Sequence, residues 1–259
     1  MNQGKIVYLT LSLLAVLLTA CDYEDLLTGH PKETPQVVIS AESDLLTMIN
    51  IMQPDSAEQA EVATLLGRGM DSTASRQDGF VSASIHQSLD NHYVVNYAQW
   101  RSLEDVQAVV DLVQRGEAPA MAEAFARGNP EFHPYAVTAQ FFSVDRPDNE
   151  VAIDQKGNVL TAINLLVPNE GVSQSTVARL LKEAMAEEAS KQPGFISATV
   201  HESLDNDYVV NYAQWKDQAS LDAIVELVGN GDLPKLGQAF TLSTPDFHPY
   251  AVVSTHFEQ

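Results

Sequence analysis

Cysteine is nearly missing from this chain: Cys21 is the only one in 259 residues, which excludes an internal disulfide framework and any cysteine-rich zinc site. Cations are scarce too, with 14 Lys and Arg against 35 Asp and Glu and a formal charge of −21. Phosphate backbones are gripped by basic footprints, so this balance excludes nucleic acid as a partner. No dinucleotide fingerprint is completed, because Gly67-x-Gly69 and Gly229-x-Gly231 lie at or near helix ends. His86, His133 and Asp90 lack the local spacing of a metal site. What the chain does have is a 45% apolar composition, enough for a packed core and against wholesale disorder.

Lys5 precedes a nearly unbroken apolar run from Ile6 to Ala20, which reads as a secretory signal and is shorter than the ~20 residues of a spanning helix. Leu18-Thr19-Ala20-Cys21 resembles the bacterial lipobox, which implies cleavage before Cys21 and a lipidated cysteine at the mature N-terminus. Asp22 then implies retention at the inner membrane, facing the periplasm. An acidic surface is repelled by anionic headgroups, so the acyl chains would be the anchor. Residues 21–42, polar and broken by Pro31 and Pro35, read as a tether.

The remainder is one unit written twice. Gly79-Phe80-Val81-Ser82-Ala83 returns as Gly194-Phe195-Ile196-Ser197-Ala198, an offset of 115, and Tyr93 through Trp100 returns unchanged as Tyr208 through Trp215. Phe132-His133-Pro134-Tyr135 returns as Phe247-His248-Pro249-Tyr250. So long a period marks a duplicated domain rather than a solenoid repeat, with copies at residues 43–145 and 153–259. In each copy, apolar alternation and helical stripes read β-α-β-β-α-β. In the second, Val177, Leu180, Leu181, Ala184 and Met185 follow the spacing of one helix face. Ser56 and Gln59 are spaced for a capping box on the first copy's first helix. This order builds an α+β, ferredoxin-like sheet with both helices on one face. The other face is not polar enough for solvent, so the two copies are expected to pack their sheets together as an intramolecular pseudo-dimer.

Register decides what shares a face. A three-residue loop, Asp90-Asn91-His92, pairs His86 with Asn96 and Ser82 with Trp100; a two-residue turn puts His86 and Asn96 on opposite faces. The first pairing gathers a titratable imidazole, a carboxamide and an indole beside small residues, with room for a flat ligand. Tyr97 and Tyr212 then face away, as core or interface.

His-x-Ser-x-Asp followed by Val-x-Asn-Tyr-x-Gln-Trp, inside β-α-β-β-α-β and present twice, resembles the antibiotic biosynthesis monooxygenase superfamily. The resemblance implies two ferredoxin-like units closing a dimeric α/β-barrel, with a pocket between sheet and helices in each. It further implies cofactor-free oxygenation of an electron-rich phenol, quinol or anthrone, which once deprotonated is itself the reductant for O₂. By motif position the site residues are His86, Asn96 and Trp100 in one copy and His201, Asn211 and Trp215 in the other. The expected partners are a small aromatic substrate and O₂, without cofactor or metal. Many relatives carry a His in the second helix, but 102–115 and 220–229 contain none, which argues against haem ligation there. The alternative is a non-catalytic envelope lipoprotein that binds a small aromatic or haem-like ligand.

Overall fold

The computed structural model describes residues 35–146, 150–155, 157 and 159–259. The signal segment, Cys21 and most of the tether lie outside the described residues. Within the stretch read as tether, however, Val37–Ile39 forms a strand, β1, with Val37 and Ile39 buried. Apolar alternation over so few residues is too short a signal to stand out beside the prolines. Among the described residues, no helix is long and apolar enough to cross a membrane.

The first half runs β2 (Leu46–Met52), α1 (Gln59–Ser72), β3 (Phe80–Ser88), β4 (Val94–Trp100), α2 (Leu103–Gln114), α3 (Pro119–Gly128) and β5 (Pro130–Phe142). A short strand β6 (Val151–Ile153) precedes the second half. That half runs β7 (Leu160–Pro168), α4 (Gln174–Glu187), β8 (Phe195–Ser203), β9 (Val209–Trp215), α5 (Gln218–Asn230), α6 (Pro234–Thr241) and β10 (Ser243–Phe257). Gly79 and Gly194, both at φ +79°, turn the chain into β3 and β8, and a Cβ there would strike Asp105 or Ser220. The expected capping box does not form. Glu58 is the N-cap of α1 without a side-chain bond, because Gln59 is used elsewhere. Its amide donates to the carbonyls of Ser88 (2.9 Å) and Tyr93 (2.8 Å), tying the helix to the β3–β4 hairpin, and Gln174 repeats this in the second half.

Each half orders its strands β3-β4-β2-β5 or β8-β9-β7-β10, and together they close an eight-stranded antiparallel barrel. The long last strands make the closure. Pro130 to Tyr135 of β5 pair with β2 in their own half, and Tyr135 to Phe142 pair with β8 of the other, past a bulge between Val137 and Ala139. β10 does the same with β7 and β3. Pro130, Pro134, Pro245 and Pro249 are tolerated because these parts of the strands pair on one side only. The last strand therefore starts at Ser243, ahead of both Pro245 and Pro249.

Three cores result. One lies between each half's sheet and its helices, and the third fills the barrel. β1 and β6 pair with each other, Val38 opposite Ala152, and their apolar residues join the barrel core. Gln99 and Gln214 donate to the ribbon carbonyls of Val38 and Ala152, so the ribbon caps the barrel end at which β4 and β9 finish.

Inside the barrel, His86 Nε2 lies 3.1 Å from the Tyr212 hydroxyl and His201 Nε2 lies 3.0 Å from that of Tyr97. Each pair joins one half to the other. Burial lowers both histidines from 6.5 to about 4 and pushes both tyrosines up, so the quartet is neutral. The unfolded chain binds protons on these histidines below its own pKa of 6.5, while the folded chain refuses them down to about 4. Acidification through that window should withdraw up to about 3 kcal/mol of stability per histidine. We expect the thermal midpoint to fall steadily from pH 6.5 to 4.5, and the fall to be flatter in a His86→Gln, His201→Gln chain. Equal slopes in the two chains would refute the assignment.

Candidate active site

The β3–β4 hairpin sets which side chains meet. Its loop is one residue longer than the odd-length loop: Ser88 N–H donates to Tyr93 O at 3.0 Å, leaving Leu89, Asp90, Asn91 and His92 in the turn. Asn91 takes a φ of 65°, and Ser88 Oγ accepts the N–H groups of His92 and Tyr93. Ile85, not His86, is therefore opposite Asn96, and His86 is opposite Val95. A bulge between Phe80 and Ser82 returns Phe80 to Trp100. β8–β9 repeats this register, with Val200 opposite Asn211 and His201 opposite Val210.

This corrects the placement of the histidines. His86 and His201 do not share a face with Asn96 and Asn211. They point into the barrel, fully buried, and touch tyrosines of the opposite half. Ser82 and Ser84 go with them, so they do not make room beside Trp100. The helix-facing side of the sheet carries Asn96, Ala98 and Trp100 in one half and Asn211, Ala213 and Trp215 in the other.

In the second half these residues line a cavity of about 300 Å³ between the sheet and α4, α5 and α6. Small-molecule pockets begin near this size. Asn164 on β7 lies directly opposite Asn211 on β9, and both carboxamides line the wall. Both are more than nine-tenths buried, and neither Oδ1 has a hydrogen-bond partner. The amide of Asn211 has only Met185 Sδ, at 3.8 Å. Trp215 stands at one end of the cavity, braced edge-on by Phe195 with ring centroids 5.4 Å apart. Ala162 and Ala213 face each other across the strands between the asparagines and the tryptophan. Val225 and Phe247 line the cavity and are partly exposed, which gives it an apolar mouth.

The first half has the same arrangement around Asn50, Asn96 and Trp100, with both Asn Oδ1 atoms again unpaired, but encloses only about 60 Å³. Asn50 and Asn164 lie outside the motif positions. Their signal was a polar side chain in the middle of a run otherwise fit for a core, as in Leu-Thr-Ala-Ile-Asn-Leu-Leu. Neither cavity is lined by a titratable side chain, and among the described residues no three His, Cys, Asp or Glu side chains cluster to hold a metal ion. His133 and His248 serve elsewhere, as links between halves: His133 Nδ1 lies 2.6 Å from Asp205, and His248 Nδ1 2.5 Å from Asp90.

An unpaired buried polar atom costs about 1–3 kcal/mol. Replacing Asn164 and Asn211 by Leu should therefore raise the thermal midpoint, by roughly 2–4 °C per kcal/mol recovered in a domain of this size. A fall on calorimetry would mean that the carboxamides are structural.

The model of the antibiotic biosynthesis monooxygenase family matches residues 45–130 and 160–226, more than half of the chain and one segment in each half. Tetracenomycin-F1 monooxygenase of Streptomyces glaucescens is 39% identical over 71 residues, which cover 27% of this chain and 63% of that enzyme. The crystal structure of an anthrone oxidase-like protein superposes with a TM-score of 0.73 at 21% identity, covering 86% of this chain and 97% of the other. The same tandem architecture thus spans both proteins almost end to end. This chain, two ferredoxin-like halves closed into one α/β-barrel, belongs to the antibiotic biosynthesis monooxygenase family.

Proposed function

We propose that the chain is a monooxygenase acting on a flat, electron-rich aromatic, a phenol, quinol or anthrone, in the cavity walled by Asn164, Asn211 and Trp215. The observation that carries this reading is the facing pair of buried carboxamides with unpaired oxygens in an otherwise apolar cavity. Such a wall offers acceptors for substrate hydroxyls and amide donors for an oxyanion, in a site dry enough to strengthen both. The indole and the aliphatic side chains would hold the rings, and O₂ partitions into apolar space. For an anthrone the reaction balances as follows. The ring CH₂ loses a proton to give an anion that is oxidised by O₂. One oxygen atom becomes the new ketone, and the other leaves as water with the two hydrogens of the CH₂. With His86 and His201 sealed in the barrel, no side chain of the wall acts as base. The proton passes to water, and the protein contributes orientation and stabilisation of the anion.

That missing base also supports a second reading, a binding module for the same class of aromatic without turnover. Oxygen uptake separates the two. With an anthrone or quinol, the chain should consume one O₂ per substrate. Asn211→Ala and Trp215→Ala should each cost at least tenfold in kcat/KM, while His201→Gln leaves it within about twofold. These magnitudes are typical of lost oriented hydrogen bonds and lost wall contacts. Uptake no faster than in buffer would favour the binding module, and a loss in His201→Gln as large as in Asn211→Ala would contradict the site.

Leu18 to Cys21 supports a further part of the proposal, a chain held by acyl groups on Cys21 at the bacterial envelope. Mass spectrometry of the mature N-terminus should find a diacylated cysteine, absent from Cys21→Ser; an unmodified Cys21 would end this reading.

A further inference from the structure

The two cavities are built from corresponding residues, yet one encloses about five times the volume of the other, roughly 300 against 60 Å³. The asparagine pair, the tryptophan and the alanine beside it occur in both. Three positions differ without narrowing the first half: Val106 and Val109 replace the larger Leu221 and Ile224, and the exposed Gln114 stands where Gly229 does. Two others put a methionine in the first half's wall. The first half has Met48 where the second has Ala162, and Met121 where the second has Leu236. Met48 lies opposite Ala98 on the adjacent strand, in the stretch between Asn50 and Trp100 where a ring would lie; Ala162 lies opposite Ala213 and leaves that stretch open. Both methionines are buried, at 6% and 3% exposure. Met121 is also pinned from behind. It packs so closely on Gly69 of α1 that a Cβ there would come within 2.3 Å of its Cγ, and the second half has Ala184 at that place. An unbranched thioether fills irregular space well, and the space left is enough for about two waters.

We infer that the chain binds one planar ligand, in its second half, and that Met48 and Met121 hold the equivalent cavity of the first half shut. The duplicated site has thus become asymmetric through two residues of its wall while its polar groups stayed in place. The inference rests on the reading of the Asn–Trp cavity as the ligand site, so its test needs one probe that is indifferent to chemistry and one that is not.

Xenon enters dry apolar cavities whatever their function. In the full chain labelled at methionine methyls, xenon should shift the signal of Met185, which lines the second cavity, and leave that of Met70, which lines the first. In Met48→Ala with Met121→Leu, both should shift. The second probe, 1,8-dihydroxyanthraquinone followed by calorimetry, should bind at one per chain. Ala162→Met should weaken it at least tenfold, and the double methionine variant should bind two. The Ala162→Met arm keeps the test decisive if the double variant folds poorly. Equal xenon shifts at Met70 and Met185, or two quinones per unmodified chain, would overturn the asymmetry. Xenon confined to the second half with no quinone bound to any variant would uphold the methionine closure and remove the aromatic-ligand reading instead.

Discussion

The middle strands β3, β4, β8 and β9 are buried on both faces, so the hairpin register between β3 and β4, repeated in β8 and β9, allots each of their side chains to one of two separate compartments. Pairing Ile85 with Asn96 sends His86, Ser84, Tyr97 and Gln99 into the barrel and Asn96, Ala98 and Trp100 toward the helices. Neither set can exchange with the other without moving the whole strand. Most of the interior set has partners across the barrel or on its cap: each histidine Nε2 meets a tyrosine of the opposite half and each glutamine amide meets the capping ribbon, while Ser84 Oγ and the two histidine Nδ1 atoms stay unpaired. Because each tyrosine comes from the other copy, the histidine–tyrosine pairs form only when the halves are closed. Buried hydrogen bonds of this kind add modestly to stability but cost heavily when unmade, which makes them a device for holding a single arrangement of the halves. The long last strands act to the same end through the backbone, each pairing first at home and then across.

The helix-facing set behaves oppositely. Its asparagines find no complete set of partners within the protein, although the surrounding aliphatic and aromatic side chains are packed as a core. A fold selected for stability alone has little reason to keep four buried carboxamides with unpaired oxygens. Strain of this kind is usual where a ligand supplies the missing partner. The two polar groups of the sheet thus divide the work. Those inside the barrel join the halves, and those outside it face the space in which a small molecule fits. The halves share this division but not its result: the second half encloses about 300 Å³ and the first about 60 Å³.

Much of the architecture is legible in the residues. The unchanged Tyr93–Trp100 and Tyr208–Trp215 blocks declare the duplication, helical stripes such as Val177 to Met185 place the helices, and two non-polar sheet faces call for a partner sheet. The expected union of the halves is met by a closed barrel. What the pattern leaves open is parity. Asp90-Asn91-His92 is turn-like under either an odd or an even loop, and the choice rests on Ser88 capping two amides and on Asn91 adopting a left-handed backbone, neither of which has a periodic signature. Prolines hid the first half of each last strand, since a strand paired on one side only tolerates what an interior strand does not. Asn50 and Asn164 were visible as polar residues in apolar runs, but only the pairing of Asn50 with Asn96 and Asn164 with Asn211 gives them significance. The difference between Met48 and Ala162 has meaning only once the cavity beside it is seen.

In the proposed site, ligand meets the helix-facing wall of the second half. The chain has two tryptophans, one on each wall, and their indole N–H signals in a ¹⁵N-labelled chain report the two sites separately. Titration with a dihydroxyanthraquinone should move the Trp215 signal and leave that of Trp100 in place, with the His86 and His201 ring signals unchanged. Movement of the histidine signals with both indoles still would put the ligand inside the barrel and contradict the account.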